Sequence, residues 1–470
     1  MLTEFLQSLK HELLLCIVLF SILILKIRDE GRGQHSWALI VHVLLALNFI
    51  AGFFWNGSGD LFNGMFKVND LILLEKNILN LGLLLVSLQA HPWIRTHRHL
   101  PEFYMLMVST LIGMFFMISS GHLLLFYIGL ELSTIPMAAL ANFNLNKSSS
   151  SEAGMKMIMS SAFSSALLLM GISLLYGSCG SLSFSSISAT LSGTPLQVFA
   201  FVLLFTGFAF KLSAVPFHFW TADVYEGSPV PVAAYLSVVS KAAVAFVFVT
   251  VLYQVFTSMA ATWYALLALV SVLTILIGNL FALRQQNMKR FLAFSSIAQV
   301  GFILIGITSG SQEGEASVVY FLLIYLFSNL GAFGVVNLVS SVSGRENIND
   351  YKGFYKSNPA LSWILTLSLF SLAGVPPTAG FFGKLFLLTA GASTGNYLLI
   401  GIAAVNMVIS MYYYLRIVKA IFMDENEFPV PAIRTGLVPG LAMLICLLGI
   451  LFTGFSGQLY QYIHSLSSGI

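Results

Sequence analysis

Long apolar runs alternate with short polar connections along all 470 residues of the chain. A membrane-spanning helix needs about 20 predominantly apolar residues, and runs of this length recur from one end of the chain to the other. The pattern therefore predicts an all-α integral membrane protein with about fourteen transmembrane helices. The predicted spans are residues 12–26, 37–54, 71–90, 102–119, 122–142, 153–177, 196–226, 229–254, 262–283, 290–309, 316–341, 360–393, 395–423 and 433–456.

Two of these runs, the seventh and the twelfth, are long and interrupted. Pro216 lies inside the seventh run, and Pro376 and Pro377 lie inside the twelfth. A proline within a helix removes a hydrogen bond and clashes with the preceding turn. Non-helical backbone at membrane depth is tolerated only where protein or water surrounds it. The interruptions therefore predict two broken helices, which in transporters mark the transport route.

The two interruptions share a short sequence motif. Residues 210–216, FKLSAVP, match residues 370–376, FSLAGVP, at an offset of 160 residues that spans five predicted helices. We expect helices 4–8 and helices 9–13 to form two repeats, and an odd number of spans per repeat inverts the second copy in the membrane. The expected divisions are residues 1–100, 101–257, 258–424 and 425–470.

Composition and charge support a membrane protein and predict its orientation. The chain is 57% hydrophobic and only 9% charged, with mean hydropathy +0.88, whereas soluble domains are about 25% charged. Lys67 is the only basic residue in the loops after even-numbered spans. The positive-inside rule therefore places the odd loops in the cytoplasm and both termini outside. The basic residues assigned to the odd side are Lys26, Arg28, Arg32, Arg95, Arg98, Lys147, Lys156, Arg284, Lys289, Arg290, Arg345, Lys352, Lys356, Lys419 and Arg434.

Several ionisable residues lie inside the predicted spans. Glu131, Lys211 and Lys241 lie near mid-span, and Lys384 follows the break in the twelfth helix. Placing an ionisable side chain in the middle of a membrane span costs roughly 2.5–3.5 kcal/mol on insertion scales, so such a residue usually has a function. Desolvation and nearby carboxylates shift a lysine pKa in opposite directions, which suits a proton carrier. Glu131 and Lys211 form either a static ion pair or a switchable one, whereas Lys241 has no acidic neighbour within a helical turn.

Two other polar features have structural interpretations. Glu75 and Lys76 lie near the outer end of the third span, where we expect them to extend toward the surface or to pair locally. Residues 412–414, three consecutive tyrosines, lie with Arg416 near the inner end of the thirteenth span. Tyrosine is enriched at membrane interfaces, so this cluster is predicted to anchor the helix there.

The sequence predicts no cofactor or metal bound by this chain. His91, His97 and His99 share one predicted loop, which we interpret as solvated rather than as a metal site. There is no glycine-rich phosphate loop or dinucleotide fingerprint. The three cysteines are far apart and lack metal-ligand spacing, so we expect neither a disulfide nor an iron–sulfur cluster; they are Cys16, Cys179 and Cys446. The first apolar run is predicted to be a span rather than a cleaved signal peptide.

Three segments resemble the antiporter-like subunits of respiratory complex I. Residues 210–229, FKLSAVPFHFWTADVYEGSP, resemble the family signature, and the DVYEGSP part is similar to the N-type subunits. Residues 290–301, RFLAFSSIAQVG, resemble the tenth-helix motif, and residues 373–384, AGVPPTAGFFGK, the twelfth-helix motif. The resemblance covers nearly the whole chain and implies a fold of fourteen helices with two inverted five-helix repeats.

The resemblance also implies roles for individual residues. Glu131 and Lys211 match the charged pair of the family, Lys241 its central lysine, and Lys384 the terminal lysine on the broken helix. The supporting positions are Gln299, Pro216, Pro376 and His218. Many relatives have histidine where this chain has Gln299, and glutamine forms hydrogen bonds but does not titrate. A water chain past Gln299 could replace a titrating histidine.

A protein with this resemblance is expected to be a proton-translocating subunit of a bacterial NADH-quinone oxidoreductase in the inner membrane. NADH, FMN, iron–sulfur clusters and quinone would then bind to other subunits. The expected partners are the lipid bilayer and neighbours resembling subunits K and M, and not nucleic acid. A cation/proton antiporter of the Mrp type is the alternative. A passive membrane scaffold is a third hypothesis, which the desolvation cost of the buried charges disfavours.

Overall fold

The computed structural model describes residues 2–28, 34–54, 57–95 and 97–468; Arg32, one of the predicted inner basic residues, lies outside these ranges. The chain before the first break contains α1 Leu2–Ser8, α2 Lys10–Arg28, α3 Gln34–Ala51, α4 Asp70–Ile94, α5 Leu100–Ile118, α6 Leu123–Ala141, α7 Ser148–Cys179, α8 Phe184–Thr190 and α9 Pro195–Leu212. A small antiparallel hairpin, β1 Gly59–Leu61 and β2 Phe66–Val68, connects α3 to α4.

The rest of the chain is also helical. It contains α10 Phe219–Gly227, α11 Val230–Tyr235, α12 Lys241–Gln254, α13 Ala260–Arg284, α14 Met288–Thr308, α15 Gln312–Ser343, α16 Phe354–Ser357, α17 Pro359–Ala373, α18 Ala379–Ala392, α19 Tyr397–Phe422, α20 Leu437–Phe455 and α21 Gly457–Leu466. A π-helix, Leu236–Ser240, joins α11 to α12, and 3₁₀ turns occupy Thr257–Met259 and Ile348–Tyr351.

Every predicted span coincides with a helix or with a broken pair of helices. Among the described residues, eleven helical stretches are long and apolar enough to cross a membrane. The described part of α3, together with α17 and α18, is apolar but shorter. The helix α2 has an apolar centre but is not one of these eleven stretches, because it carries charged residues at both ends. The all-helical membrane class predicted from the hydrophobic pattern is therefore confirmed.

Burial separates central helices from peripheral ones. The most apolar stretch of α14 is entirely buried within the protein, and those of α15 and of Val230–Gln254 are 94% buried. The corresponding stretches of α19 and α20 are only 33% buried. A helix without an exposed face cannot contact lipid, so α14, α15 and Val230–Gln254 form the core of the bundle. Lys241 and Gln299 both lie on these central helices.

Both predicted helix breaks are present and have the same local geometry. α9 ends at a left-handed Ser213 with φ 64°, and α17 ends at a left-handed Gly374 with φ 83°. In each case the next backbone N–H reaches back five residues, from Ala214 to Ala209 (2.8 Å) and from Val375 to Phe370 (3.0 Å). Such bonds satisfy carbonyl groups that a helix end leaves unpaired. The two turns are 161 residues apart, from 214 to 375, one more than the motif offset.

Candidate functional site

Lys241 lies at the centre of the bundle, directly after the π-helix Leu236–Ser240. Its side chain is only 2% exposed, and Nζ donates a 2.7 Å hydrogen bond to Ser296 Oγ on α14. The ammonium group also lies 5.7 Å from the ring centre of Tyr225. π-helical turns are rare and occur frequently at functional sites. Here the turn lies immediately before the lysine that the sequence placed at the centre of the route.

A second set of hydrogen bonds surrounds this π-helical turn. Asn329 on α15 donates to Ser237 Oγ at 2.7 Å and to Tyr325 Oη at 2.8 Å. Ser237 is four residues before Lys241, so Asn329 attaches the turn to the central helix α15. Asn329 and Tyr325 could not be predicted as part of the site, because an isolated polar residue in an apolar run gives no indication of its partner.

Gln299 connects α14 to both α17 and α19. Its Nε2 donates to the Leu372 carbonyl oxygen at 3.0 Å and to Tyr414 Oη at 3.2 Å. Tyr414 also lies 2.5 Å from Ser295 Oγ. The other side-chain atom, Gln299 Oε1, is buried and has no hydrogen-bond partner in the structure. This acceptor could therefore bind a water molecule.

Lys384 is fully buried behind the second helix break. Its Nζ donates to the carbonyl oxygens of Leu372 at 2.7 Å and Ala373 at 3.3 Å, and lies 4.8 Å from the ring centre of Phe302. These two carbonyls are the last of α17, where helix carbonyls lack partners and the dipole favours a cation. Because Gln299 donates to the same Leu372 oxygen, one carbonyl group connects the two predicted positions.

Glu131 and Lys211 do not form a direct ion pair in the structure. Lys211 Nζ donates to the hydroxyl of Thr134, which is three residues after Glu131 on α6. Among the ion pairs of the described residues, none includes Glu131, and its Oε1 is buried without a partner. The two charges still attract each other electrostatically. The structure thus brings the two charges near enough to interact, but Lys211 donates its hydrogen bond to Thr134 and not to Glu131.

The supporting residues lie around the first break and the second. Pro216 lies between α9 and α10, Pro376 between α17 and α18, and both are exposed. His218 caps the start of α10 and is buried, and its Nδ1 has no hydrogen-bond partner. Trp220 Nε1 donates to the Phe210 carbonyl at 3.0 Å, which gives the end of α9 a partner similar to the one that Lys384 gives α17.

The acidic residues of the DVYEGSP segment bind basic residues on two other helices. Asp223 lies 2.6 Å from Lys156 on α7 and 2.7 Å from Arg290 on α14, and Arg290 lies 2.8 Å from Glu226. These contacts hold α10 against both helices beside a polar cavity of about 650 Å³. Lys156 and Arg290 were predicted only as basic residues of the inner side, and both lie on helices that contact α10.

Three interpretations of polar residues are wrong. Tyr414 and its neighbour Tyr413 are fully buried, so they do not anchor α19 at an interface; only Tyr412 is well exposed. His91 belongs to α4, buried beside His42 with ring centres 5.3 Å apart, rather than to a solvated loop. Lys76 neither reaches the surface nor pairs with Glu75. In each case, packing with distant helices determines the contact, and the local sequence does not reveal that packing.

Cysteine and metal chemistry can be stated for the described part of the chain. The three cysteines are free. Across residues 2–28, 34–54, 57–95 and 97–468, no group of three or more His, Cys, Asp or Glu side chains could hold a metal ion.

Two curated relatives are similar to the chain over most of their length. NADH-quinone oxidoreductase subunit N of Phocaeicola vulgatus is 46% identical over 454 residues, which cover 96% of each chain. NAD(P)H-quinone oxidoreductase subunit 2 of Gloeothece citriformis is 36% identical and covers 96% of this chain and 92% of its own.

Solved structures have the same fold. A chain of respiratory complex I from Thermus thermophilus with bound aureothin has a TM-score of 0.80 at 29% identity, covering 98% of this chain and 100% of that one. A chain of the Mrp complex from a Dietzia species has a TM-score of 0.87 at 21% identity, covering 98% and 96%. Residues 120–410 match the family described as NADH:quinone oxidoreductase/Mrp antiporter, TM, and the chain belongs to that family.

Proposed function

We propose that this chain is a proton-translocating membrane subunit of an NADH-quinone oxidoreductase, coupling quinone reduction elsewhere in the complex to proton transfer across the membrane. The observation that carries the proposal is the arrangement of Lys241, Gln299 and Lys384. The two buried lysines lie on either side of Gln299, and each donates to a neutral oxygen. The names of the curated relatives favour the same class of complex.

The proposed route uses hydroxyl and amide groups between the lysines. Lys241 gives a proton toward Ser296, and the neighbouring Ser295 contacts Tyr414, which accepts from Gln299. Oriented hydroxyl groups and water can pass a proton between titrating side chains without themselves retaining a charge. Gln299 then acts as a hydrogen-bonding spacer next to the Leu372 carbonyl, where Lys384 receives the proton.

Glu131 and Lys211 are proposed as the switch at the other end of the route. The hydroxyl of Thr134 accepts from Lys211, while Glu131 Oε1 is buried without a hydrogen-bond partner. A movement of α6 relative to the break at Ser213 would exchange one acceptor for the other. The lysine would hold its proton beside the carboxylate and release it toward Lys241 when the carboxylate turns away.

The finer architecture belongs to the same proposal. We place fourteen helices across a bacterial inner membrane, with two inverted five-helix repeats and both termini outside. Neighbours resembling subunits K and M would flank the chain, and NADH, FMN, iron–sulfur clusters and quinone would bind to other subunits. The chain itself would carry out no redox step.

An Mrp-type cation/proton antiporter is the second candidate, favoured by the likeness in fold to the Dietzia chain. Affinity purification of the tagged chain from its native membrane separates the two. We expect NADH-quinone reductase subunits to co-purify and NADH oxidation to drive proton uptake in reconstituted vesicles. Sodium-dependent proton exchange by the purified single chain, without reductase subunits, would contradict the first proposal.

A further inference from the structure

The N-terminal helices enclose an ion pair that the proposed route does not use. Lys76 Nζ on α4 lies 2.6 Å from Glu12 Oε1 on α2, and the two side chains are 0% and 3% exposed. Within the described part of the chain, no other ion pair buries both partners so completely. Burying two charges costs several kcal/mol per ion, and their attraction offsets this only with excellent geometry. Stabilising the contact between two helices therefore does not by itself explain this ion pair.

Lys76 has surroundings like those of Lys241 and Lys384. Its ammonium group lies 5.0 Å from the ring centre of Phe66 and 5.7 Å from that of Phe115. An aromatic face attracts a cation without binding it in one fixed direction. Lys76, Lys241 and Lys384 thus each have an aromatic ring and a hydrogen-bond acceptor close to the ammonium group. Lys76 differs from the other two because its acceptor is a carboxylate.

Several buried polar atoms next to the pair have no partner. Glu12 Oε2, His11 Nε2 and Asn48 Oδ1 are all buried without a hydrogen bond. The adjacent amides do pair: Asn48 Nδ2 donates to Asn80 Oδ1 at 2.7 Å, and Asn80 Nδ2 lies 3.5 Å from His11 Nδ1. An ion pair selected for stability alone has its remaining lone pairs satisfied. The free acceptors here can instead receive a proton or a water molecule.

The β-hairpin covers this cluster at one end of the bundle. Phe66 of β2 lies over Lys76, and the Lys67 N–H donates to the Ser119 carbonyl at 2.7 Å, which attaches the hairpin to the end of α5. Lys76 is the seventh residue of α4, so it lies about 9 Å along the axis from the helix start at 1.5 Å per residue. The hairpin therefore lies between the pair and this end of the bundle.

Charged groups on several elements act on the pair. Glu75, next to Lys76, is buried and interacts electrostatically with both Lys76 and Glu315 at the start of α15. Lys10 on α2 repels Lys76. The electrostatic environment of the pair thus extends from α2 to the central helix α15. The titratable groups around it are Lys10, His11, Cys16, Glu75 and Glu315.

We propose that Glu12 and Lys76 form a proton-release site at the hairpin end of the bundle. The proton is initially on Lys76 Nζ. The proton then passes along the 2.6 Å hydrogen bond to the Glu12 carboxylate, leaving a neutral amine and a carboxylic acid, and the contact between them opens. Glu12 then gives that proton to water on the hairpin side, and Lys76 takes up another proton from within the bundle. This inference rests on the proposed proton translocation and adds a site to it.

Two variants in the intact, vesicle-reconstituted complex test the site against a static ion pair. Lys76→Arg keeps the charge pair but holds its proton at every working pH. The double variant Glu12→Gln with Lys76→Met removes both charges together. For an assembled complex of either kind, we expect protons pumped per NADH oxidised to fall below the wild-type ratio, because a proton-transfer group is lost. Wild-type pumping in both would overturn the proposal.

Infrared difference spectroscopy gives a readout independent of pumping. On adding NADH to the wild-type complex, we expect a carboxylic-acid band that disappears in Glu12→Gln, and no such difference between the two proteins would overturn the proposal. Lys241→Met, measured in parallel, keeps the two proposals separate. If pumping is impaired in Lys241→Met but normal in both Lys76 variants, only the Glu12–Lys76 site is overturned.

Discussion

Neutral oxygens accept the hydrogen bonds of three lysines of the proposed route: a serine hydroxyl for Lys241, backbone carbonyls for Lys384 and a threonine hydroxyl for Lys211. A carboxylate fixes the charge of a lysine, whereas a neutral oxygen orients the ammonium group without adding a negative charge. Lys241, Lys384 and Lys211 can therefore release a proton without separating from a carboxylate, whereas Lys76 passes its proton to the carboxylate that it contacts, Glu12.

Lys241→Ala should leave the complex assembled and strongly reduce pumping. The side chain makes one hydrogen bond, to Ser296, and no ion pair, so its removal leaves no charge unpaired. A positioned proton-transfer group contributes about 10²–10⁴-fold, and we expect at least a roughly tenfold loss of coupled quinone reduction. Proton uptake into vesicles is the measurement. Lys356→Ala, which removes an exposed lysine, is the control, and equal pumping by both variants would contradict the assigned role.

Gln299→His should be tolerated, whereas Gln299→Leu should slow pumping. Histidine can still donate a hydrogen bond toward the Leu372 carbonyl or Tyr414, and leucine cannot donate to either. Leucine nearly conserves volume, so the comparison isolates the polar contact. The rate of proton uptake per NADH oxidised is the measurement. Wild-type pumping by the leucine variant would mean that the protons bypass this position.

At the scale of the helix, different side chains donate to backbone carbonyls at the two breaks. At the end of α9 the partner is the indole of Trp220, and at the end of α17 it is the ammonium group of Lys384. A lysine that caps a helix end is coupled to it, because loss of its proton weakens a charge-assisted contact with the helix dipole. Proton movement at Lys384 can therefore change the position of α17 relative to α18.

Lys384→Arg should impair turnover nearly as much as Lys384→Ala. Arginine can still donate to the carbonyls of Leu372 and Ala373 and so preserve the end of α17. It does not deprotonate at working pH, so a carrier role is lost while the cap remains. Turnover and pumping of the two variants should be compared at equal amounts of assembled complex. Normal pumping by the arginine variant would identify Lys384 as a fixed charge.

Glu131 and Lys211 offer a test of a switch between helices α6 and α9. Breaking a static buried pair by removing one partner costs about 3–5 kcal/mol, and removing both restores much of it. Since Lys211 donates to Thr134 rather than to Glu131, we expect Glu131→Gln and Lys211→Met each to assemble but to pump poorly.

The double variant of Glu131→Gln with Lys211→Met distinguishes the two interpretations. A switch loses its function with either partner, so the double variant should remain inactive in proton uptake. Native gel analysis of the assembled complex provides the control for stability. Recovered pumping in the double variant would favour a structural pair.

At the scale of the whole molecule, the sequence predicted helices well and contacts poorly. Every apolar run is a helix, because lipid and core both require backbone groups to be satisfied within the segment. The two helix breaks could also be predicted, because a proline within a helix removes a backbone hydrogen bond. The partners of Lys211, Lys76 and Tyr414 could not be predicted, because Thr134, Glu12 and Gln299 reach them only through the packing of helices distant in sequence.

The inverted repeat and the orientation are properties of the whole molecule that labelling can test. Ser192 lies exposed in the connection before the first broken helix, and Asn349 lies exposed in the connection before the second. Inverted repeats place these connections on opposite sides of the membrane, whereas parallel repeats place them on the same side. The basic residues near Asn349 predict that its side is cytoplasmic.

Single Ser192→Cys and Asn349→Cys variants, made in a chain whose Cys16 and Cys179 are replaced by serine, allow the test, because the remaining Cys446 is fully buried. In sealed right-side-out vesicles, a membrane-impermeant thiol reagent should label Ser192→Cys and leave Asn349→Cys unlabelled until the membrane is permeabilised. Inside-out vesicles should give the reverse. Labelling of both positions from the same side would exclude the inverted repeat, and a complete exchange of sides would keep the repeat but reverse the predicted orientation.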